Sequence, residues 1–477
     1  MKKLKLLIKF PTAPLVLIIL ISFVIRVYNL SYNSPFLDEA IYLVLGKEVL
    51  GGHWQEAAPF SWVGGMPLFY PPLSAIFGNF GIIGARVLNV LLGTLSVYLM
   101  YEFAKSLILS GKEKTNEVIG LVSASFLGVL AIPIYLSRLA IYDMLSFTLF
   151  LSGLVFLQKA LLIQRPEAMQ RENRLFLAAA AFFFSFLAKY VTLIFFPLVL
   201  VWALYHSKKL GKTAISAFLS YFAAPLVIAT TVYIVWNFSE LRHFLTDQVG
   251  DSQNKSKEIL TRFGTYTLLP TLFAVFGGLA LLFKRRFLIL TVLLIASVLT
   301  LAVHVITNSL PAVHQHTFLS IIFMLPIAAY LFGLILERRW WFGSLIIVFT
   351  LAITFVYSQN QVRELESSWP NTNTVMAYLK TTTTNHEKLL SFEGDVTTLA
   401  LPNLNGKNIV GVFDFKYKEL SGENAYQQAL RDSYFDFVLF NEDSNNETAK
   451  TVKNSITKHY VPQYNNHPFV VYKLNEK

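Results

Sequence analysis

Residues 284–306 have the sequence KRRFLILTVLLIASVLTLAVHVI, in which three basic residues precede a run of twenty residues without Asp, Glu, Lys or Arg. An α-helix needs about 20 apolar residues to cross the hydrocarbon core of a bilayer. Basic residues directly beside such a run are typical of its cytoplasmic end. This segment therefore predicts a transmembrane helix that begins at the cytoplasmic face.

The composition of the whole chain agrees with this prediction. Of its 477 residues, 54% are hydrophobic and 14% are charged, and the mean hydropathy is +0.51. A soluble protein of this length has no core large enough to hide so much apolar surface. The chain contains no cysteine, which excludes disulfides, thiolate metal sites and cysteine nucleophiles.

The same criterion predicts a polytopic α-helical membrane protein with about eleven spans. They lie near 12–30, 82–105, 117–137, 143–162, 175–188, 190–206, 213–237, 264–283, 287–306, 317–336 and 340–357. The loops between them alternate in charge, and 19 of the 28 Lys and Arg residues before residue 358 fall on one face. We assign that face to the cytoplasm. The N-terminus then lies on the cytoplasmic side of a plasma membrane, and the C-terminal region lies on its outer side.

Residues 175–206 allow two interpretations, either one long span or two short spans that meet at Lys189. A single crossing would place the basic loops at 165–174 and 208–212 on opposite faces of the membrane. Two crossings keep both loops on the cytoplasmic face, so two spans are favoured.

The net charge of +11 does not indicate nucleic-acid binding. The basic excess belongs to residues 1–357, which carry a net charge of +13, whereas residues 358–477 carry −2. The positive-inside rule accounts for an excess that is confined to the hydrophobic part of the chain.

Residues 358–477 predict a C-terminal extracytoplasmic α/β domain, separate from a membrane domain of residues 1–357. Candidate strands lie at 388–392, 408–415, 436–440 and 468–473, and candidate helices at 370–380, 422–432 and 446–458. This region has no Gly-rich phosphate loop and no evident catalytic constellation. We expect this region either to recognise the acceptor of a transfer reaction or to cover a functional site of the membrane domain. The alternative is a passive folded appendage.

Polar side chains on the predicted outer face are the candidate site residues, because charge near a membrane is costly and often functional. The first external loop, residues 31–81, contributes Asp38, Glu39, His53, Glu56 and Tyr70, and the span ends and outer turns contribute Arg86, Arg138, Asp143, Lys189, His314 and His316.

These candidates also have simpler interpretations. An Arg or Lys at a span end is often a snorkelling anchor. A His-Gln-His stretch such as 314–316 often consists of polar residues at the membrane interface and is not a metal site. Asp38 and Glu39 could cap a helix over residues 40–50, and Pro71-Pro72 could fix an extended segment. The placement of acidic and basic side chains together on one face favours a functional site.

That combination suits glycosyl transfer from a lipid-linked sugar phosphate. The phosphate leaving group requires no general acid, only cations or a metal ion to hold its charge. The acceptor hydroxyl requires a carboxylate to take its proton. The isoprenoid tail of the donor requires a groove between helices that opens into lipid.

Several short motifs carry a family resemblance by their order along the chain. They are Phe36-Leu37-Asp38-Glu39-Ala40, Tyr70-Pro71-Pro72-Leu73, Gly84-Ala85-Arg86-Val87, Ser137-Arg138-Leu139-Ala140 followed by Asp143, Ala188-Lys189-Tyr190, and the segment from His314 to Pro326. Over residues 10–340 the chain resembles the GT-C glycosyltransferases, in particular the protein O-mannosyltransferase superfamily with its bacterial lipid A aminoarabinose transferases. Tyr70 departs from the pattern, because bacterial relatives often carry Lys or His immediately before Pro-Pro-Leu.

The resemblance implies an inverting transfer of one sugar from a polyprenyl-phosphate donor to an external protein, lipid or cell-envelope glycan. It implies that Asp38 is the general base or organises the acceptor, with Glu39 beside it. Asp143 would be a second carboxylate, and Arg138 and Lys189 would neutralise the donor phosphate. The sequence specifies no cofactor; a divalent metal ion, if used, would bind Asp38 and Asp143.

Three other functions compete with this one. A transporter or lipid flippase should place its charges near the bilayer midplane on broken helices related by internal repeats, whereas here the charges concentrate at span ends. An oligosaccharyltransferase-like enzyme that moves whole glycans usually carries a larger soluble domain. A membrane scaffold would not explain Asp38, Arg138 and Asp143 on one face.

Overall fold

The structure is a computed structural model that describes residues 13–53, 64–163, 168–248, 255–404, 406–413, 415–444, 446–456 and 459–475. It divides into two compact units. The first, the membrane unit, comprises Met1–Leu30 and His53–Leu365, and the second, the α/β unit, comprises Ser31–Gly52 and Glu366–Lys477. The predicted division at residue 358 differs from this grouping, because residues 31–52 fold with the C-terminal region.

Eight helices of the described chain are long and apolar enough to cross a membrane. They are Gly81–Ser106, Asp143–Leu161, Tyr190–Leu210, Lys212–Trp236, Ser256–Phe283, Phe287–Thr307, Val313–Arg338 and Trp340–Glu366. The pair Glu113–Val129 and Ala131–Arg138 makes a ninth span if its two parts, bent by 58°, are taken together. The chain is therefore a multi-span membrane protein, as predicted.

The two remaining predicted spans differ from this set. The helix Ala13–Val27 has 15 residues, which is short for a span. The helix Ala168–Ala188 is long enough but carries Arg171, Glu172 and Arg174 in its first turns. The predicted number of eleven thus exceeds the eight or nine spans that satisfy the length and hydropathy requirement. The chain does break at Lys189, which is extended between two helices.

Glycine permits one especially close helix crossing in the membrane unit. Helices Ser256–Phe283 and Val313–Arg338 pack along each other, and a Cβ atom on Gly277 would lie 1.9 Å from the backbone oxygen of Ile327. Small residues at such crossings let helix backbones approach in lipid, where apolar burial alone gives little drive for association. Gly277 is therefore required by the packing of this pair.

The α/β unit is built on a five-stranded sheet. Its strands are β1 (Leu389–Ser391), β2 (Ile409–Val410), β5 (Phe437–Asn441), β6 (Tyr460–Asn466) and β7 (Phe469–Leu474), and a separate hairpin joins β3 (Lys416–Tyr417) to β4 (Leu420–Ser421). The order is β2-β1-β5-β7-β6, parallel among the first three strands and antiparallel beyond them. Helices Asn373–Thr382, Gly394–Ala400, Glu423–Arg431 and Glu447–Ser455 complete the C-terminal part.

A helix from near the start of the chain also belongs to this unit. Leu37–Leu50 packs against Gly394–Ala400, and Ala40 is fully buried in a core with Val375, Leu389 and Phe437. Upstream of it, the Asn33 amide donates to the backbone oxygens of Glu366 at 3.0 Å and Trp369 at 3.1 Å. The residues that carry the acidic motif are thus fixed by the C-terminal part of the chain.

The predicted elements of the C-terminal region agree in part with the structure. The strands predicted at 388–392, 436–440 and 468–473 and all three helices are present with shifted ends. The strand predicted at 408–415 is wrong beyond Val410, where the chain leaves the sheet. The strand Tyr460–Asn466 and the helix Gly394–Ala400 were not predicted; the strand exposes most of its residues, so it lacks an apolar pattern.

Replacement of Gly277 tests the close helix crossing. We expect Gly277→Ala to lower the free energy of unfolding by about 1–3 kcal/mol, because the added methyl group overlaps a backbone oxygen that can move only with its helix. Gly264→Ala on the same helix is the control, since a Cβ there meets nothing within 4 Å. Thermal unfolding in detergent would measure both, and equal melting temperatures would contradict the assignment.

Candidate active site

A buried ion pair joins two of the predicted site residues in the membrane unit. Lys189 Nζ lies 2.5 Å from Asp143 Oδ1, and the two side chains are 5% and 2% exposed. The same ammonium donates to Gln315 Oε1 at 3.1 Å. Asp143 opens the helix Asp143–Leu161, and Gln315 lies at the start of Val313–Arg338. Three separate stretches of the chain therefore meet at one ammonium group.

The extended backbone at Lys189 is held by a short segment of the first loop. Met66 N donates to Leu187 O at 2.6 Å, and Tyr190 N donates to Gly64 O at 2.9 Å. A Cβ atom on Gly65 would lie 2.1 Å from Ala188 O, so only glycine allows this approach. The pairing replaces helical hydrogen bonds that are lost at the break, and it fixes the backbone from which the Lys189 side chain extends.

Asn89 stabilises the backbone of the turn before Asp143. Its amide donates to Leu139 O, and to Ile141 O at 2.7 Å, which satisfies carbonyls that no helix uses. The Tyr70 hydroxyl donates to Asn89 Oδ1 at 3.4 Å, and Tyr70 is 1% exposed. The structure thus places Tyr70, a predicted substrate contact, within the network that supports this turn. Pro71 and Pro72 begin the helix Tyr70–Gly78 and do not fix an extended segment.

The predicted arginines are buried and do not extend toward water as snorkelling anchors would. Arg86 is fully buried and its Nη1 donates to Leu30 O at 2.6 Å. Arg138 is 3% exposed and its Nη2 donates to Ile25 O at 2.8 Å. Both guanidinium groups therefore contact the end of the first helix and the residues after it.

Arg26 is a third buried arginine, which the sequence analysis did not select as a site residue. Its guanidinium donates to Leu127 O at 3.1 Å, Gly128 O at 3.0 Å and Ser137 Oγ at 3.1 Å. Those carbonyls end the helix Glu113–Val129, where a cation is favourable beside groups that have no intrahelical donor. Arg26 therefore joins the two parts of the bent span that carries Arg138.

The predicted histidines lie at the start of Val313–Arg338. His316 Nδ1 lies 2.8 Å from His304 Nε2, and His304 Nδ1 lies 2.6 Å from Ser309 O. The ring of His314 lies near those of Tyr135 and Tyr266, with centroid distances of 6.1 and 6.2 Å. Since Gln315 binds Lys189, the His-Gln-His stretch is part of the same buried polar region.

In the α/β unit, Asp38 and Glu39 open the helix Leu37–Leu50. Glu39 is fully buried, and its Oε2 accepts a hydrogen bond from Phe36 N at 2.8 Å, so this carboxylate caps the helix. Asp38 is half-buried in the first turn. His53 is exposed at the start of the second segment of the membrane unit, and Glu56 lies outside the described residues.

Carboxylates also gather at the sheet edge of the α/β unit, where no constellation was predicted. Glu393 and Asp395 follow β1, and the Asn441 amide, at the end of β5, donates to Glu393 Oε1 at 3.1 Å. Burial raises the pKa of both carboxyl groups above their ordinary values. Ligands often bind at the carboxyl ends of parallel strands, but these contacts alone assign no ligand.

The described residues contain no group of three or more His, Asp or Glu side chains arranged to hold a metal ion. The partner of Asp143 is the Lys189 ammonium, so this carboxylate is already neutralised by a cation. A divalent ion prefers several uncompensated oxygen ligands. The metal site considered from the sequence, at Asp38 and Asp143, stays a prediction, and we derive no step through a metal.

Removal of the Lys189 charge tests the buried pair. We expect Lys189→Met to destabilise the protein by about 3–5 kcal/mol, because it leaves the Asp143 carboxylate buried without its counter-charge. The double variant Lys189→Met/Asp143→Asn should recover most of the melting temperature, since neither charge remains. Thermal unfolding in detergent measures both, and a double variant as unstable as the single one would contradict the pairing.

Comparisons with known proteins agree with this architecture. Residues 45–246 match the family described as dolichyl-phosphate-mannose-protein mannosyltransferase. The fold is similar to that of ArnT from Cupriavidus metallidurans, at 14% identity and a TM-score of 0.63, over 96% of this chain and 97% of that one. No curated protein matches the chain at a significant level.

Two further solved structures share the fold. The oligosaccharyltransferase from Archaeoglobus fulgidus is 11% identical with a TM-score of 0.61, over 94% of this chain and 72% of that one. The mycobacterial arabinofuranosyltransferase AftD is 13% identical with a TM-score of 0.53, over 97% of this chain and 40% of that one. The chain therefore has the GT-C fold, and its predicted resemblance to the protein O-mannosyltransferase superfamily is confirmed.

Proposed function

We propose that this protein is a membrane glycosyltransferase that moves one sugar from a polyprenyl-phosphate donor to an extracytoplasmic acceptor, with inversion at the anomeric carbon. The observation that carries the proposal is the buried Lys189 ammonium. Two of its three N–H groups bind Asp143 and Gln315, and beyond these two oxygens its described neighbours are the rings of Tyr142 and Phe147, with centroids 5.0 and 5.9 Å from Nζ. A phosphate oxygen is the kind of anionic acceptor that this third donor would bind.

The comparisons support a lipid-phosphate donor. The Cupriavidus metallidurans ArnT has been solved bound to undecaprenyl phosphate, with a TM-score of 0.56 to this chain. The Archaeoglobus fulgidus enzyme AglB has been solved with dolichol-phosphate, with a TM-score of 0.59. Both ligands carry a phosphate on a long isoprenoid chain, and a membrane protein can receive such a donor directly from the bilayer.

In the proposed reaction, an acceptor hydroxyl oxygen attacks the anomeric carbon on the face opposite the phosphate. The new carbon–oxygen bond forms as the bond from the anomeric carbon to the phosphate oxygen breaks, and the bonding electron pair leaves with the polyprenyl phosphate. The hydroxyl proton passes to the Asp38 carboxylate, which acts as general base. No atom is oxidised or reduced.

The remaining residues have supporting roles in this proposal. Lys189, held by Asp143, stabilises the negative charge that develops on the leaving phosphate. Arg86 and Arg138 add positive charge in the membrane unit, where the low dielectric strengthens their effect on an anion. Glu39 keeps the helix that carries Asp38 in place through its capping hydrogen bond. Asp143 acts through Lys189 and is a positioning residue.

Replacement of Asp38 is the direct test. We expect Asp38→Asn to reduce transfer from radiolabelled undecaprenyl-phosphate sugars by about 10²–10⁴-fold, because an amide cannot accept the hydroxyl proton. Glu48→Gln is the matched control, since it makes the same change on an exposed carboxylate of the same helix. The label moved to acceptor is measured with purified protein of verified melting temperature.

The outcomes separate the competing functions. Transfer by the wild type and the Glu48→Gln control but not by Asp38→Asn supports the proposal and identifies the donor sugar. Equal transfer by Asp38→Asn would overturn the assignment of the base. A folded wild type that transfers no sugar from any donor would overturn the enzyme proposal, and flux of the same lipids across liposomes would then test the transporter or flippase.

A further inference from the structure

Two histidines connect the helices Phe287–Thr307 and Val313–Arg338 in a defined register. His304 lies opposite His316, and one helical turn away Thr300 Oγ1 lies 2.6 Å from Ser320 Oγ. The His304–His316 and Thr300–Ser320 contacts are typical of an antiparallel helix pair, because residues four apart lie on the same face of each helix. The histidine rings are therefore held at a fixed position, with centroids 5.0 Å apart.

The contacts determine which nitrogen of each ring carries its proton. Ser309 O can only accept a hydrogen bond, so His304 Nδ1 must donate to it. Neutral His304 then has an unprotonated Nε2, which must accept a hydrogen bond from His316 Nδ1–H. Neutral His316, having its proton on Nδ1, presents a lone pair at Nε2. The backbone carbonyl of Ser309 thus sets the tautomer of both imidazoles.

The neutral form of this pair is favoured by its surroundings. His316 is 9% exposed, and it follows Gln315, which binds the Lys189 ammonium. A second buried cation beside that ammonium would be repelled by it and would lose hydration.

The lone pair at His316 Nε2 has no hydrogen-bond partner among the described residues, although the atom is buried. Of the four ring nitrogens in the pair, three make hydrogen bonds, and His316 Nε2 is the fourth. A buried polar atom without a partner is unfavourable, so a bound group that donates a hydrogen bond would stabilise it. An ionised phosphate has no proton to donate, whereas a sugar hydroxyl does.

We propose that His316 Nε2 accepts a hydrogen bond from one hydroxyl group of the transferred sugar, in the tautomer that His304 and Ser309 impose. This inference rests on the proposed glycosyltransferase function and adds a determinant of donor specificity to it. Lys189 offers a donor to the phosphate, and His316, one residue beyond the Gln315 that binds it, offers an acceptor to the sugar. A hydroxylated sugar phosphate supplies both complementary groups.

The test compares undecaprenyl-phosphate mannose with each of its monodeoxy analogues. We expect the wild type to use one analogue at least tenfold less efficiently in kcat/KM than the parent donor, because the buried acceptor is then left unpaired. His316→Phe should bring that ratio close to one while it leaves the ratios for the other analogues unchanged. His316→Gln, which keeps an acceptor, should restore part of the discrimination.

Ser320→Ala is the structural control, because it removes the hydrogen bond between Thr300 and Ser320 and leaves both imidazoles intact. It should keep the wild-type discrimination against the same analogue. If His316→Phe transfers sugar with unchanged ratios for all analogues, the inference is overturned while the proposed function stands. If the wild type transfers no sugar from any donor, the proposed function itself fails, and the inference fails with it.

A measurement on the wild-type protein avoids dependence on the folding of the variants. Nitrogen-15 NMR of histidine-labelled protein in nanodiscs distinguishes protonated from unprotonated imidazole nitrogens. We expect His316 Nε2 to be unprotonated without donor and its resonance to shift toward the hydrogen-bonded range when undecaprenyl-phosphate mannose is added. A protonated Nε2, or a resonance that saturating donor does not move, would overturn the inference.

Discussion

The pairing of Lys189 with Asp143 is the interaction on which the polar region of the membrane unit depends. Neither charge could remain buried alone, since an isolated ion in a low-dielectric interior loses far more hydration than packing returns. The pair therefore requires that the start of helix Asp143–Leu161 and the break after Ala188 come together. Gln315 extends this requirement to a third helix.

Other contacts around this pair satisfy backbone groups that broken helices leave free. Arg26 donates to a carbonyl at the end of Glu113–Val129, and Asn89 donates to carbonyls of the turn at Leu139 and Ile141. At the break beside Lys189, the backbone pairs with the segment at Gly64. Non-helical backbone at membrane depth is tolerated only when its polar groups find such partners. The irregular backbone that positions the charged side chains is stabilised at each break by a specific donor.

The sequence predicted the spans well because a helix in lipid must be both long and apolar, and this requirement is local. It also selected Asp143, Lys189 and His316 as candidates, since charged or polar residues at span ends are costly enough to indicate a role. The structure buries all three side chains, and their roles stay predictions. Asn89, Gln315 and Gly65 could not be recognised, because their importance arises from contacts with residues distant along the chain. The grouping of residues 31–52 with the C-terminal region could not be recognised for the same reason, since nothing in that segment reveals that Ala40 packs in a core with Val375 and Phe437.

The joining of residues 31–52 to the C-terminal region has a consequence for biosynthesis. Helix Leu37–Leu50 is made early in translation, while its packing partners, among them Val375 and Phe437, are made near the end. During most of synthesis this segment therefore lacks its core, so the acidic motif can reach its final packing only when the last segment has been made. A chain that is stalled on the ribosome or truncated before Phe437 holds its transmembrane helices without a completed core around the Asp38 helix.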